Sequence, residues 1–164
     1  MNHRVDLNDL MSLVAAADVV VDASDNFETR YAVNRACVAQ GKPLVSGAAV
    51  QYSGQICVFD RRQSDAACYH CLFPKASEAV FEPCARLGVF APLTGMIGAA
   101  QAGEAIRLIA TGTSPLSGKL VLFDALSMDW QSIHVARDPN CAVCGDLANG
   151  REAGGNSSSP VDQS

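Results

Sequence analysis

Two cysteine pairs constrain this chain more than any other feature. Cys68 and Cys71 stand in "ACYHCLFP" (residues 67–74), and Cys141 and Cys144 stand in "DPNCAVCG" (residues 138–145). Each pair has the CxxC spacing, and 69 residues separate them. Two thiolates three apart on a tight knuckle can face one ion at about 2.3 Å, and two knuckles complete a tetrahedron. The long separation costs little, because loop-closure entropy rises only logarithmically with length. One CxxC alone reads equally as a thioredoxin-like redox pair. The two together predict a structural zinc (Zn) site, with rubredoxin-like iron as the chemical alternative. All four positions are cysteine, so the site is closed. His70, inside the first knuckle, competes as a ligand only if it turns inward.

Composition agrees with that reading. The seven cysteines are an odd number in a chain without an export signal, which favours metal or catalysis over disulfides. The 164 residues are 49% hydrophobic, enough for one domain with a real core. Seventeen acidic residues against 12 basic ones give a net charge of −5, which excludes nucleic acid as a partner, because a phosphate backbone calls for a clustered basic surface. The adjacent pair Arg61-Arg62 reads as a solvated loop. In "MNHRVDLNDLMSLVAAADVVV" polar residues break the apolar stretch, so no secretory signal is expected and the chain reads as cytoplasmic. The longest uncharged run, residues 87–103, contains Pro92 and four glycines, so it reads as a buried helix and no membrane partner is expected.

Strands and helices alternate along the chain, which predicts an α/β fold. Residues 6–17 look like the end of an amphipathic helix. "DVVVDAS" (residues 18–24) is a β-branched run of the kind buried on both faces of a parallel sheet. A helix follows, with a capping-box-like start at Asp25 and Glu28 and a stop at Gly41 and Pro43. "PLVSGAAV" and "GQICVFD" are two more strands, joined by a turn at Ser53-Gly54. Residues 68–90 are irregular, and a connection of that length is often functional. A helix then runs from near Pro92 to Gly112, with Gly95, Gly98, Ala99 and Ala102 on a small-residue side. "KLVLFDA" and "DWQSIHVA" form a hairpin with Ile133 and Val135 on one face. Residues 146–164 are Gly/Ser-rich and read as a disordered tail, leaving residues 1–145 as the domain.

The segments "VVVDASDNFETRYAVNRACVAQGKPLVSGAAVQYSGQICVF", "CYHCLFP", "PCARLGVFAPLTGMIGAAQAGEAIRLI" and "LVLFDALSMDWQSIHVARDPNCAVCG" together resemble the C-terminal part of the ThiF/MoeB/HesA proteins, bacterial relatives of ubiquitin-activating enzymes. The resemblance runs from about Asp18 to Gly145. It implies a Rossmann-like α/β domain, usually a homodimer. Such proteins use ATP and magnesium (Mg) to adenylate the C-terminal Gly-Gly carboxylate of a ubiquitin-like sulfur-carrier protein, for sulfur transfer in thiamine or molybdenum-cofactor synthesis.

The resemblance also assigns site residues. Asp25 and Asn26 lie just past the carboxyl end of the "VVVDAS" strand, where open α/β sheets bind ligands. The matching family pair contacts ATP and its metal, and a carboxylate there can hold magnesium against phosphates. The plainer reading of Asp25 is a helix N-cap. Arg30 matches a family arginine, and either binds phosphate or balances the local acids. Cys84, in "FEPCARLGV" near Arg86, matches the family cysteine that takes the activated carrier as a thioester or acyl-disulfide. Its plain alternative is an ordinary loop cysteine. Cys37 and Cys57 read as small core residues.

One departure is large. Family members carry a preceding β-α-β unit with a Gly-rich phosphate turn, and no GxGxxG occurs in this sequence. The expectation is a ThiF/MoeB fold lacking its N-terminal nucleotide-binding β-α-β unit. The functional alternative is a non-catalytic binding module that docks a ubiquitin-like partner or a full-length homologue.

Overall fold

The structure, a computed structural model, describes residues 7–75 and 87–145. In chain order these form α1 (Leu7–Ala16), β1 (Val20–Asp22), α2 (Phe27–Gln40), β2 (Leu44–Val50), β3 (Ser53–Phe59), α3 (Tyr69–Leu72), α4 (Ala91–Thr111), β4 (Lys119–Asp124) and β5 (Asp129–His134). One sheet of five strands runs in the order β1-β2-β3-β4-β5. The β1–β2 pair is parallel and is bridged by the α2 crossover. The remaining neighbours are antiparallel.

Helix α2 starts one residue later than the capping-box pattern suggests. Asn26, not Asp25, is the N-cap: its backbone is extended, and its Oδ1 accepts from Thr29 N at 2.8 Å. Gly41 closes the helix in the left-handed region at φ 61°. The β2–β3 turn also moves. It falls at Gln51 and Tyr52, with Gln51 at φ 49°, and Gly54 lies inside β3.

Gly54 is needed where it is. A Cβ there would lie 2.7 Å from Ile97 Cδ1 and 2.9 Å from Leu93 Cδ1, so only glycine lets α4 settle this closely on the sheet. Helix α4 covers one face. Leu108 packs with Val45, Ile56 and Val58, while Leu93 and Ile97 pack with Phe123. Each of these burials contributes about 2 kcal/mol. The opposite face, reached by the alternate residues Leu44, Cys57, Phe59 and Leu120, is covered by α1, α2 and α3 through Val14, Tyr31, Cys37 and Tyr69. Gly95, Gly98, Ala99 and Ala102 of α4 face outward.

Both sheet edges depart from the sequence reading. Strand β1 has three residues and lies at the end of the sheet, with Val21 48% exposed, because only β2 pairs with it among the described residues. At the other edge Val135 is buried but Ile133 is 49% exposed, since no helix among the described residues reaches over β5. Trp130 covers Phe123 there, with ring centroids 4.2 Å apart. Arg61 and Arg62 are tied down rather than loose in solvent. Arg62 donates from Nε and Nη2 to both oxygens of buried Asp60 at 2.7 Å, and Nη2 also reaches the carbonyl of Gly112 at the end of α4. No helix among the described residues is long and apolar enough to cross a membrane.

Candidate functional site: a four-cysteine cluster and a pair of clefts

The fold brings Cys68, Cys71, Cys141 and Cys144 together, with all four sulfurs within 4.8 Å of one another. The Cys68–Cys71, Cys68–Cys141 and Cys71–Cys144 sulfur distances are 4.0, 3.8 and 3.4 Å. A tetrahedron with metal–sulfur bonds of about 2.3 Å has edges of about 3.8 Å, so this donor set fits one tetrahedral thiolate-bound ion. Each knuckle is closed by backbone. Cys71 N donates to Cys68 O at 3.0 Å, and Gly145 N donates to Cys141 O at 2.8 Å. Gly145 has no room for a side chain: a Cβ would sit 2.4 Å from Cys141 O and 2.6 Å from Pro139 O.

The sulfurs are electrostatically unequal. Hydrogen bonds from Cys144 and Cys68 hold the Cys71 thiol far below the ordinary range, while hydrogen bonds with Cys144 and Cys71, and burial, push Cys68 up. A divalent cation would let all four sulfurs ionise together. His70 Nδ1 lies 3.5 Å from Cys141 Sγ, as a hydrogen-bonding neighbour beside the four sulfurs. Cys37 and Cys57 stand apart in the core, and burial pushes Cys37 up to about 12.

Asn34 was not legible as part of this site. It is buried in the middle of α2, accepts from Tyr69 N at 2.9 Å and donates to Cys68 Sγ at 3.6 Å. The one sequence signal was its place four residues after Arg30, which puts both polar side chains on one helix face.

Two clefts open at the carboxyl end of β1. One, of about 420 Å³, lies between the start of α2, Val50 and Gln55 of the sheet, and Tyr69 and Phe73. The other, of about 440 Å³, lies between Ser24, Gly47 of β2, and Thr94 and Gln101 of α4. Asp25, Arg30 and Ala48 line both. Asp25 is exposed, and its Oδ1 accepts from Asn26 Nδ2 at 3.3 Å. Asn26 makes the N-cap bond of α2, and Asp25 lines the mouth of both clefts as an exposed residue.

Arg30 is buried beneath that mouth. Its Nη1 donates to Ser46 Oγ at 3.2 Å and lies 3.6 Å from Asp22 Oδ2. Its Nη2 donates to the carbonyls of Gly47, at 2.8 Å, and Ser24. The guanidinium lies against buried Asp22 and ties the segment after β1 to the middle of β2. On the opposite side Gln101 Nε2 donates to Asp22 O at 2.8 Å and Val45 O at 3.2 Å. Cys84 lies outside the described residues.

A model of the ThiF family matches residues 1–143. The chain belongs to the ThiF family. Among curated relatives it is similar to the sulfur carrier protein adenylyltransferase of Thermus thermophilus, 42% identical over 153 residues, covering 91% of this chain and 56% of that protein. It is also similar to the molybdopterin-synthase adenylyltransferase of Escherichia coli, 41% identical over 145 residues, covering 88% of this chain and 57% of the relative. The chain thus spans about half the length of the curated relatives it matches. Among solved structures, Escherichia coli MccB shares the fold with a TM-score of 0.68 at 25% identity, covering 88% of this chain and 43% of MccB. This ThiF-family chain is thus a mixed α/β fold on a five-stranded sheet, and its relatives include adenylyltransferases for sulfur carriers.

Proposed function

We propose that this chain is the carboxyl part of an adenylyltransferase that activates the C-terminal Gly-Gly carboxylate of a ubiquitin-like sulfur-carrier protein with ATP. The observation that carries this reading is the placement of Asp25. Its carboxylate stands at the mouth shared by two clefts, at the carboxyl ends of the strands where α/β sheets bind ligands, and it is not consumed in capping α2. A magnesium ion held there would neutralise nucleotide phosphates. Asn26 fixes Asp25 through the Nδ2 contact and presents it to the phosphates. Arg30 acts from below by holding the segment after β1 against the middle of β2, which forms the site floor. In the transfer itself, the carrier carboxylate attacks the α-phosphorus and pyrophosphate leaves, so catalysis consists mainly of positioning and charge stabilisation. That stabilising charge comes largely from outside the cleft described here, and the reading therefore requires the rest of the fold.

Cys68, Cys71, Cys141 and Cys144 hold a structural zinc that pins α3 to the segment after β5. Cys84 accepts the activated carrier. Residues 1–145 make up the domain part, with 146–164 as a tail, and the active form is a cytoplasmic homodimer serving thiamine or molybdenum-cofactor synthesis. The second reading is a docking module for a ubiquitin-like protein or a longer homologue.

ATP–pyrophosphate exchange with a Gly-Gly-ended carrier separates the two. The chain is assayed alone and co-expressed with the amino-terminal half of a relative. Carrier-dependent exchange in either case supports the enzyme. Carrier binding without exchange in both cases supports the docking module.

A further inference from the structure

We propose that Asn34 is the positioning residue of the four-cysteine site: it caps α3 from a neighbouring helix and donates an N–H···S hydrogen bond to Cys68. The inference rests on the metal-site reading above.

The argument starts from an unfavourable placement. Asparagine is a poor residue for a helix interior, since its amide competes for backbone partners. Asn34 nevertheless sits in the middle of α2 with 1% of its surface exposed. A buried amide must find partners or pay for its desolvation. Both of its ends find them in the first cysteine knuckle: Oδ1 accepts from Tyr69 N, and Nδ2 donates to Cys68 Sγ.

The first of these bonds does a task that Cys68 cannot. Cys68 is the N-cap of α3, and its side chain makes no capping hydrogen bond. A serine or aspartate at that position would satisfy the leading N–H of the helix itself. Here the sulfur is turned to the cluster, 4.0 Å from Cys71 and 3.8 Å from Cys141, so the Tyr69 N–H would be orphaned inside the protein. Asn34 satisfies it from across the interface and leaves Cys68 available as a ligand.

The second bond concerns charge. Four thiolates around a divalent ion carry a net charge of −2, which is costly in a buried setting unless N–H dipoles spread it. Asn34 Nδ2 supplies such a donor to Cys68, as Val143 N does to Cys141 at 3.5 Å. One turn further along α2, Val38 packs against the same sulfurs. The face of α2 that starts at Arg30, beneath the clefts, thus ends on the metal knuckle.

The test uses the full 164-residue chain loaded with cobalt(II) or zinc. Asn34→Asp keeps an oxygen for the Tyr69 N–H and loses the donor to Cys68. It should release metal to a chelator about tenfold faster than the parent chain. Its thiolate-to-cobalt charge-transfer band should move to longer wavelength, because an unbonded sulfur is a stronger electron donor. Asn34→Leu loses both bonds and should release metal at least as fast. A folded Asn34→Asp chain with the parent's release rate and band would overturn the inference while leaving the metal reading intact. A parent chain that takes up neither metal would overturn both. A measurement without any substitution guards against misfolding of the variants. In the parent chain loaded with NMR-active cadmium, the Asn34 side-chain amide protons should show scalar coupling to the metal across the hydrogen bond. Coupling at Val143 N–H with none at Asn34 would refute the role.

Discussion

Gly47→Ala probes the floor of the second cleft, and its cost can be worked out from the contacts. Gly47 lies in β2 beneath α4, and a Cβ there would sit 2.4 Å from Gln101 Cδ and 2.7 Å from its Nε2. The backbone has no special φ at this position, so the added methyl acts only through that clash. Gln101 must swing away, and its bonds to Asp22 O and Val45 O are lost. Two buried hydrogen bonds at about 1 kcal/mol each, plus about 1 kcal/mol of residual overpacking, give about 3 kcal/mol. For a chain of this size that corresponds to a fall in Tm of about 6–12 °C. The assay is thermal unfolding by circular dichroism of Gly47→Ala, Gln101→Ala and the double variant. If the methyl acts through Gln101, the double variant is no less stable than Gln101→Ala, and the coupling energy is the whole Gly47→Ala cost, about 3 kcal/mol. A Gly47→Ala chain within about 2 °C of the parent, or strictly additive losses, would refute the reasoning.

Cys141→Ser should release the single zinc expected per chain and speed hydrogen exchange across residues 68–75, which native mass spectrometry and exchange measurements check. A metal-free chain as stable as the parent would contradict it. Cys37 should resist alkylation in the folded chain at pH 8, because with its thiol pushed up to about 12 only about one molecule in ten thousand carries the thiolate. The sign is that of a raised folded pKa: the stability from burying the neutral thiol is complete below the ordinary thiol value and lost as pH climbs through about 12. Rapid labelling at pH 8 without unfolding would be inconsistent with that burial. The edge of β1, unpaired among the described residues and with Val21 half exposed, should make the isolated chain self-associate, and Val21→Lys should shift it toward monomer in size-exclusion chromatography. A monomeric parent chain would show that the edge is not adhesive.

How much was legible follows from what each signal depends on. The cysteine pairs were readable because ligand spacing is local, and the fold only had to bring two knuckles together. Helix α4 was readable from its punctuation, Pro92 at the start and Gly112 in the left-handed region at φ 75° at the end. The start of α2 was harder, because Asp25 and Asn26 are both good caps with a polar residue three positions on, and only the extended backbone of Asn26 decides between them. The run "VVVDAS" could not announce an edge strand, since valines suit a buried centre and a half-covered edge equally. Asn34 and Gln101 escaped for a different reason. Periodicity marks apolar faces, and these polar residues lie on inward faces where partners distant in sequence (Cys68, Asp22) satisfy them.

Calorimetry of Mg-ATP tests the central claim, that the nucleotide site lies at the carboxyl ends of β1 and β2 with Asp25 at its mouth. The titration is made on the isolated chain, on the chain co-expressed with the amino-terminal half of a relative, and on the same pair carrying Asp25→Ala. The account predicts little or no binding to the isolated chain, magnesium-dependent binding to the pair, and its loss with Asp25→Ala. A monodisperse isolated chain that binds Mg-ATP by itself, or a pair whose binding is indifferent to Asp25→Ala, would place the nucleotide elsewhere.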